Sequence, residues 1–266
     1  IHSDGADHVV RYAFGVSPLQ QFLVDAGNGR LQGHALAWDG RAGEDGGQRW
    51  FDLMPDVHSG DDVLHWSGPG QTWNYMCADC HSTAVRKRYD PDRRTYATTF
   101  AEVSVGCEAC HGPGAAHVAD PRRSTIVAEP AAEVCATCHS RREQLAEGYR
   151  PGLNLFDFYL PSFLEEGLYY ADGQIDDEVY VYGSFLQSRM HASGVTCADC
   201  HAPHTAALKR PGDATCTACH AKPGDVRFPQ AAGLYASAEH HFHSADSDGA
   251  RCVACHMPAR TYMQID

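Results

Sequence analysis

The sequence predicts a mainly α chain with extensive loops and a small N-terminal β-hairpin, organised around something other than an apolar core of its own. Three observations carry this reading. The first 66 residues hold no cysteine and show strand-like alternation around an Asn-Gly turn. Beyond them all 12 cysteines fall in Cys-x-x-Cys pairs, each short enough to sit on one helical turn. Spacings of 30, 28 and 19 residues between neighbouring pairs leave no length for long regular elements.

In the N-terminal part, residues 9–14 and 20–25 are short apolar runs. Asn28-Gly29 is a type I′ turn signal, and residues 31–38 place apolar side chains at alternate positions, which predicts the hairpin. Residues 43–47 read as a polar loop and 49–54 as a further short strand. This lead-in, residues 1–66, is expected to pack on whatever residues 67–266 enclose. Within the latter, residues 140–190 form a long insert without cysteine pairs. Residues 144–147 look helical until Pro151-Gly152 breaks them. Residues 164–182 suggest a second hairpin or an extended loop, and residues 184–191 a helix that delivers His191.

Each cysteine pair is followed at once by histidine: Cys77-Cys80-His81, Cys107-Cys110-His111, Cys135-Cys138-His139, Cys197-Cys200-His201, Cys216-Cys219-His220 and Cys252-Cys255-His256. With 17 His in 266 residues, six such matches by chance have a probability on the order of one in ten million. Paired zinc ligands or adjacent-turn disulfides explain the cysteines but not six histidines. The C-x-x-C-H pentapeptide is the attachment pattern of c-type haem. Two thiols add to the vinyl groups on one porphyrin edge, and the next residue brings an imidazole to the iron. Six haem c groups mean one per roughly 44 residues, too dense for a protein-only core around each. The expected fold is therefore a compact multihaem protein built around stacked haems, and the apo chain should not fold.

Eleven histidines lie outside the motifs and supply candidates for the opposite face of each iron. His2, His8 and His58 read as surface residues, and His34 as a strand residue of lesser promise. His65 precedes Trp66 near the aromatic Trp73 and Tyr75. His117 follows the sharp Gly112-Pro113-Gly114 turn, which throws it toward a neighbouring haem. His191 and His204 flank the fourth motif; His201 already fills its proximal place, so at least one must reach elsewhere if both ligate. His240, His241 and His243 precede the sixth motif, and His241 and His243 are taken forward as distal candidates. Met76, Met190, Met257 and Met263 are minor alternatives. The insert's aromatics, Phe156, Phe158, Tyr159, Tyr169, Tyr170, Tyr180 and Tyr182, read as packing for haem rather than a substrate site.

A net charge of −13 argues against nucleic acid or an anionic membrane as partner. The clusters Arg86-Lys87-Arg88, Arg122-Arg123 and Arg141-Arg142 suit haem propionates or a solvated face. No stretch approaches a transmembrane length. Because c-type haem is attached outside the cytoplasm, an extracytoplasmic location is expected, with an export signal removed or upstream.

The strings Val-Gly-Cys-Glu-Ala-Cys-His-Gly-Pro-Gly (105–114), Gly-Val-Thr-Cys-Ala-Asp-Cys-His-Ala-Pro-His (194–204) and Cys-Val-Ala-Cys-His-Met-Pro (252–258) resemble multihaem cytochrome c domains found ahead of tetratricopeptide repeats. These are more loosely similar to cytochrome c-554 and the hydroxylamine oxidoreductase and pentahaem nitrite reductase superfamily. The resemblance also takes in residues 12–22 and the His65-Trp66 segment. It implies ligating roles for His65, His117, His191 and His204, with stacked and perpendicular haem pairs. Two departures stand out: no further C-x-x-C-H near the N-terminus with no continuation into repeats, and no C-x-x-C-K of the nitrite reductase type. Electron transfer through mostly bis-histidine haems is expected, as a shuttle or as a subunit of a conductive filament, with redox proteins or identical subunits as partners. The alternative is a reductase or oxidase of small nitrogen or sulfur compounds at one open haem.

Overall fold

The computed structural model describes residues 1–16, 18–123 and 126–258. Its largest regular unit is an antiparallel sheet of four strands in sequence order: β1 (Val10–Phe14), β2 (Leu19–Asp25), β3 (Leu31–Asp39) and β4 (Arg49–Asp52). The β2–β3 hairpin turns at Asn28 (φ 55°) and Gly29 (φ 71°), and Arg30 N–H donates to Gly27 O at 2.9 Å. Two successive positive φ angles are what a type I′ turn demands. Gly29 is also fixed by contact, since a Cβ there would lie 1.9 Å from Tyr96 O. The expected hairpin is thus the centre of a larger sheet, extended by one edge strand on each side.

The sheet locks onto the first cysteine pair. Leu31 N–H donates to Asn74 Oδ1 at 2.7 Å, and Asn74 Nδ2 donates to Gly29 O and Thr98 Oγ1. Phe14 and Leu23 then pack with Trp73 and Ala78 in one buried cluster, with Cys77 against it. A second cluster joins Ala136 to Leu155, Tyr159 and Tyr182 of the insert. Ala78 and Ala136 are each the residue after a motif's first cysteine, and both are fully buried. A methyl group there lets the motif turn sit flush on its neighbours.

The helices are short: α1 (Trp73–Met76), α2 (Ala78–His81), α3 (Cys107–His111), α4 (Ala115–Ala119), α5 (Ala132–Ala136), α6 (Val181–Leu186), α7 (Arg189–Ala192), α8 (Cys197–Cys200), α9 (Ala214–His220), α10 (Ala238–His241) and α11 (Cys252–His256). The longest has 7 residues, while β3 has 9. Helix makes up about 27% of the fold and strand 20%, so the expected dominance of helix does not appear. The reason is local. Each motif needs little more than one turn, and Gly, Pro or an extended residue ends it, as Gly112 (φ 75°) does after His111.

The insert also departs from expectation. Residues 144–147 form no helix; Gln144 instead ends the strand Arg142–Gln144, which pairs antiparallel with Tyr159–Pro161. The Arg142 guanidinium lies 3.7 Å over the Tyr159 ring and caps Thr137 O, which fixes this segment extended. Residues 164–180 form an extended loop with bridges at Glu166, Tyr169 and Ile175 rather than a true hairpin, and α6 begins at Val181. The helix expected over 184–191 is divided into α6 and α7, because Ser188 leaves the helix and its Oγ accepts from His191 N–H at 3.1 Å.

Candidate functional site

All twelve thiols are unpaired by disulfides, and four of the six motifs lie on helical turns that run through their histidine, while in the third α5 ends at Ala136 and a turn carries the chain on to His139. The fourth is different: α8 ends at Cys200, and His201 opens a short strand paired with Leu208. Its helix carries a capping box between Thr196 and Asp199, and Asp199 also takes Arg227 Nη1 at 2.8 Å.

Tertiary contacts bring different motifs together through their sulfurs. Cys80 Sγ donates to Thr137 O at 3.7 Å and Cys138 Sγ to Cys80 O at 3.9 Å, joining motifs one and three. Cys135 and Cys197 share a hydrogen bond, joining motifs three and four. Cys110 of the second motif lies close enough to feel Cys138 and Cys135. Cys200 stands near Cys219, and Cys216 bonds Cys252, joining motifs four, five and six. Asp213, just before α9, accepts Cys252 N–H at 3.2 Å and ties the last two together.

Burial pushes the Cys77 thiol up to about 11, and burial likewise leads in raising Cys216 to about 11 and in raising Cys110, Cys200, Cys219 and Cys252. In the two tight pairs the shared hydrogen bond raises Cys80 and Cys135 and lowers Cys138 and Cys197. Among the described residues no three His, Cys, Asp or Glu side chains gather as a metal cage.

The histidines divide by what their Nδ1 atoms do. In neutral imidazole one nitrogen donates and the other accepts, so a partner at Nδ1 decides the state of Nε2. His111 Nδ1 donates to Val127 O at 2.5 Å, His191 Nδ1 to Leu186 O at 3.1 Å, and His220 Nδ1 to Ala231 O at 3.2 Å. These three present a bare Nε2 lone pair, the tautomer a metal needs, held by a backbone carbonyl. His34 Nδ1 instead accepts Leu36 N–H at 2.9 Å, and its buried Nε2–H has no hydrogen-bond partner; burial lowers its affinity for a proton. His65 Nδ1 meets Ser67 Oγ and N–H, and its Nε2 faces Asp4 Oδ2 at 3.6 Å. His241 Nδ1 accepts His243 N–H at 3.1 Å. As placed, His65 and His241 carry the proton on Nε2, and each ring would have to exchange its partners to bind a metal.

Two pairs of imidazole rings lie close together with nearly parallel planes. His204 lies across from His111 with centroids 5.8 Å apart and planes at 24°, and His240 across from His256 at 6.1 Å and 6°. Two imidazoles bound by Nε2 on opposite faces of one metal, at metal–nitrogen bonds of about 2 Å, have centroids about 6 Å apart. Both pairs fit that separation. His204 therefore reaches the second motif, not its own. His240 was not carried forward as a candidate from the sequence; its neighbours His241 and His243 were. The structural cause is Phe242, whose left-handed φ of 59° ends α10 and reverses the chain, leaving His240 toward His256 and laying the His243 ring on Gly249. His117 sits half-buried on α4, and Met76, Met190 and Met257 are exposed; Met263 lies outside the described residues.

The shell around these groups is open. A globular chain of 29.0 kDa would expose about 11,000 Å², whereas this one exposes 17174 Å². Large apolar side chains such as Val118, Leu234, Phe242 and Met257 stand in solvent. Such a surface fits a protein that closes on large apolar groups rather than on itself.

Comparison with known proteins agrees. Residues 64–140 match the family model of cytochrome c7 and related cytochrome c, and residues 190–264 that of cytochrome c3. A search of curated proteins returns no match. The fold is similar to the crystal structure of the outer cell wall cytochrome OcwA, with TM-score 0.52 and 23% identity over 85% of this chain. The chain spans 54% of that protein's length. Among the described residues no helix is long and apolar enough to cross a membrane. Two separate segments of the chain, each with three motifs, thus match family models of multihaem cytochromes, the first that of cytochrome c7 and related cytochrome c and the second that of cytochrome c3.

Proposed function

We propose that the chain carries six haem c groups and conducts electrons along them outside the cytoplasm. The observation that carries this is the contact between motifs: sulfurs of motifs one, two and three, three and four, four and five, and five and six all lie near one another. Cofactors attached there have to be neighbours, and neighbours exchange electrons. Haem c supplies the one-electron couple when bound. The twelve cysteines hold, and His81, His111, His139, His201, His220 and His256 serve as proximal ligands. His204 and His240 serve the second and sixth motifs from the opposite side. His191 has the tautomer for the same task, and His117 and His65 remain candidates. A second imidazole on an iron shuts out substrates and favours transfer over chemistry.

The domain division follows the same lines, with residues 1–66 a cover and 67–266 the conducting body. The outer cell wall location of OcwA supports an extracytoplasmic place. Partners are redox proteins or identical subunits, the latter giving a filament. The narrower likeness to domains that precede tetratricopeptide repeats belongs to this same reading.

The test is spectroscopic. Purified holoprotein is expected to contain six haems by pyridine haemochrome assay and mass spectrometry. His204→Ala and His240→Ala should each convert about one-sixth of the low-spin ferric signal to high spin. A high-spin signal in the unmodified protein that shifts with nitrite, hydroxylamine or cyanide would instead favour a reductase or oxidase.

A further inference from the structure

The rings of the last two motifs form one continuous row. His220 of the fifth motif lies 6.0 Å from Tyr235 by ring centroid, Tyr235 lies 5.1 Å from His240, and His240 lies 6.1 Å from His256. The first two contacts are edge-to-face, at 69° and 66°. Tyr235 is therefore the side chain that touches imidazoles belonging to two different haem sites.

What holds each imidazole differs. His220 is fixed by the carbonyl of Ala231. For the His240 ring the described residues provide no hydrogen bond; its contacts are the Tyr235 ring and the facing His256. The Tyr235 ring is itself seated on Gly233, where a Cβ would stand 2.6 Å from Cε2 and Cζ. The glycine is thus a seat cut for this ring, and any side chain there would lift it off. Edge-to-face packing restrains an aromatic ring about its bond axes, which is the freedom a monodentate imidazole otherwise keeps.

We infer that Tyr235, seated on Gly233, is a positioning residue that fixes the plane of His240 nearly parallel to His256 and couples that plane to His220. The inference rests on the proposed ligation by His240 and His220. Imidazole planes on one ferric iron govern its low-spin electron paramagnetic resonance line shape: parallel planes give a rhombic spectrum, crossed planes a broad, highly anisotropic one. The device therefore sets the electronic state of the sixth haem and links it to the fifth.

The experiment uses full-length holoprotein with Tyr235→Phe, Tyr235→Leu and Gly233→Ala, compared by resonance spectra, potentiometric titration and haem content. Tyr235→Leu should move the components of two haems out of six, about one-third of the low-spin ferric intensity, with haem content unchanged. Gly233→Ala should reproduce this by displacing the ring, and decides alone if Tyr235→Leu yields no holoprotein. Tyr235→Phe keeps the ring and should match the parent. Spectra and potentials of Gly233→Ala and Tyr235→Leu identical to the parent would overturn the inference, as would a change spread over all six components, or a Tyr235→Phe protein as altered as Tyr235→Leu. The ligation itself fails separately, if His240→Ala remains wholly low-spin with six haems.

Discussion

The N-terminal sheet and the last three motifs use similar lengths of chain and bury very different things. Within residues 1–66, Leu23, Val24 and Ala37 are fully buried, Phe14 and Trp66 nearly so, and strand ladders satisfy the backbone. Within residues 190–258, Phe228 is the one buried large hydrophobic among the described residues, and α9 is the longest helix. The sheet is stabilised by its own side chains. The second region has almost nothing to fold around until haem is attached. The histidines lean the same way without dividing cleanly: His34 and His65 accept at Nδ1, as does His241, whereas His191 and His220 of the second region, and His111 between the two regions, donate there.

The largest effect should come from withholding haem. Full-length chain produced without cytochrome c maturation should be cleaved within residues 190–258 long before residues 1–66, read by limited proteolysis and mass spectrometry. Equal resistance of the two regions would break the comparison. Next, Trp73→Ala empties the cluster that joins the sheet to the first motif and should cost about 4 kcal/mol in denaturant titration of the holoprotein. Asp79→Asn leaves Lys87 buried without its partner at 2.9 Å; Tyr75 O still accepts from it, so the loss should be about 3 kcal/mol, near the low end for such pairs. Gly29→Ala, at positive φ and against Tyr96 O, should cost about 2 kcal/mol and loosen the sheet from the first motif without changing haem spectra. The smallest effect is a pH dependence confined to the sheet. The Arg41 guanidinium holds the Asp39 carboxyl below its ordinary value. That contribution is complete above the unfolded carboxylate's range and fades as pH falls through the lower folded value. Asp39→Asn should remove that part of the acid sensitivity in thermal melts taken across the carboxylate range.

Much of the site was legible in the sequence because covalent attachment tolerates little variation: twelve cysteines and six histidines at fixed spacing need no fold to be read. The β2–β3 hairpin was legible for a similar reason, since Asn28-Gly29 satisfies a conformation few residues can adopt. The edge strands were harder, because β1 exposes nearly every side chain and so lacks alternation. Residues 144–147 misled because Gln144 belongs to a strand held extended by the stacking of Arg142 on Tyr159, a contact across 17 positions of sequence. The sequence leaves the choice among His240, His241 and His243 open because their directions hang on one left-handed residue, Phe242. Tyr235 had no pattern at all; it matters only because Gly233 and two imidazoles meet it in space.

The third motif has a distinction that its sequence does not advertise. Its sulfurs meet those of the first and fourth motifs and lie near those of the second. Drawn as a network, the six sites form a line from the first through the third to the sixth, with the second as a side branch at the third. The third is then the branch point: removing it leaves the first and the second each alone and the last three as a separate line, whereas removing the sixth merely shortens the line. No second path bypasses any node, and a lesion at the third strands intact sites on three sides rather than two.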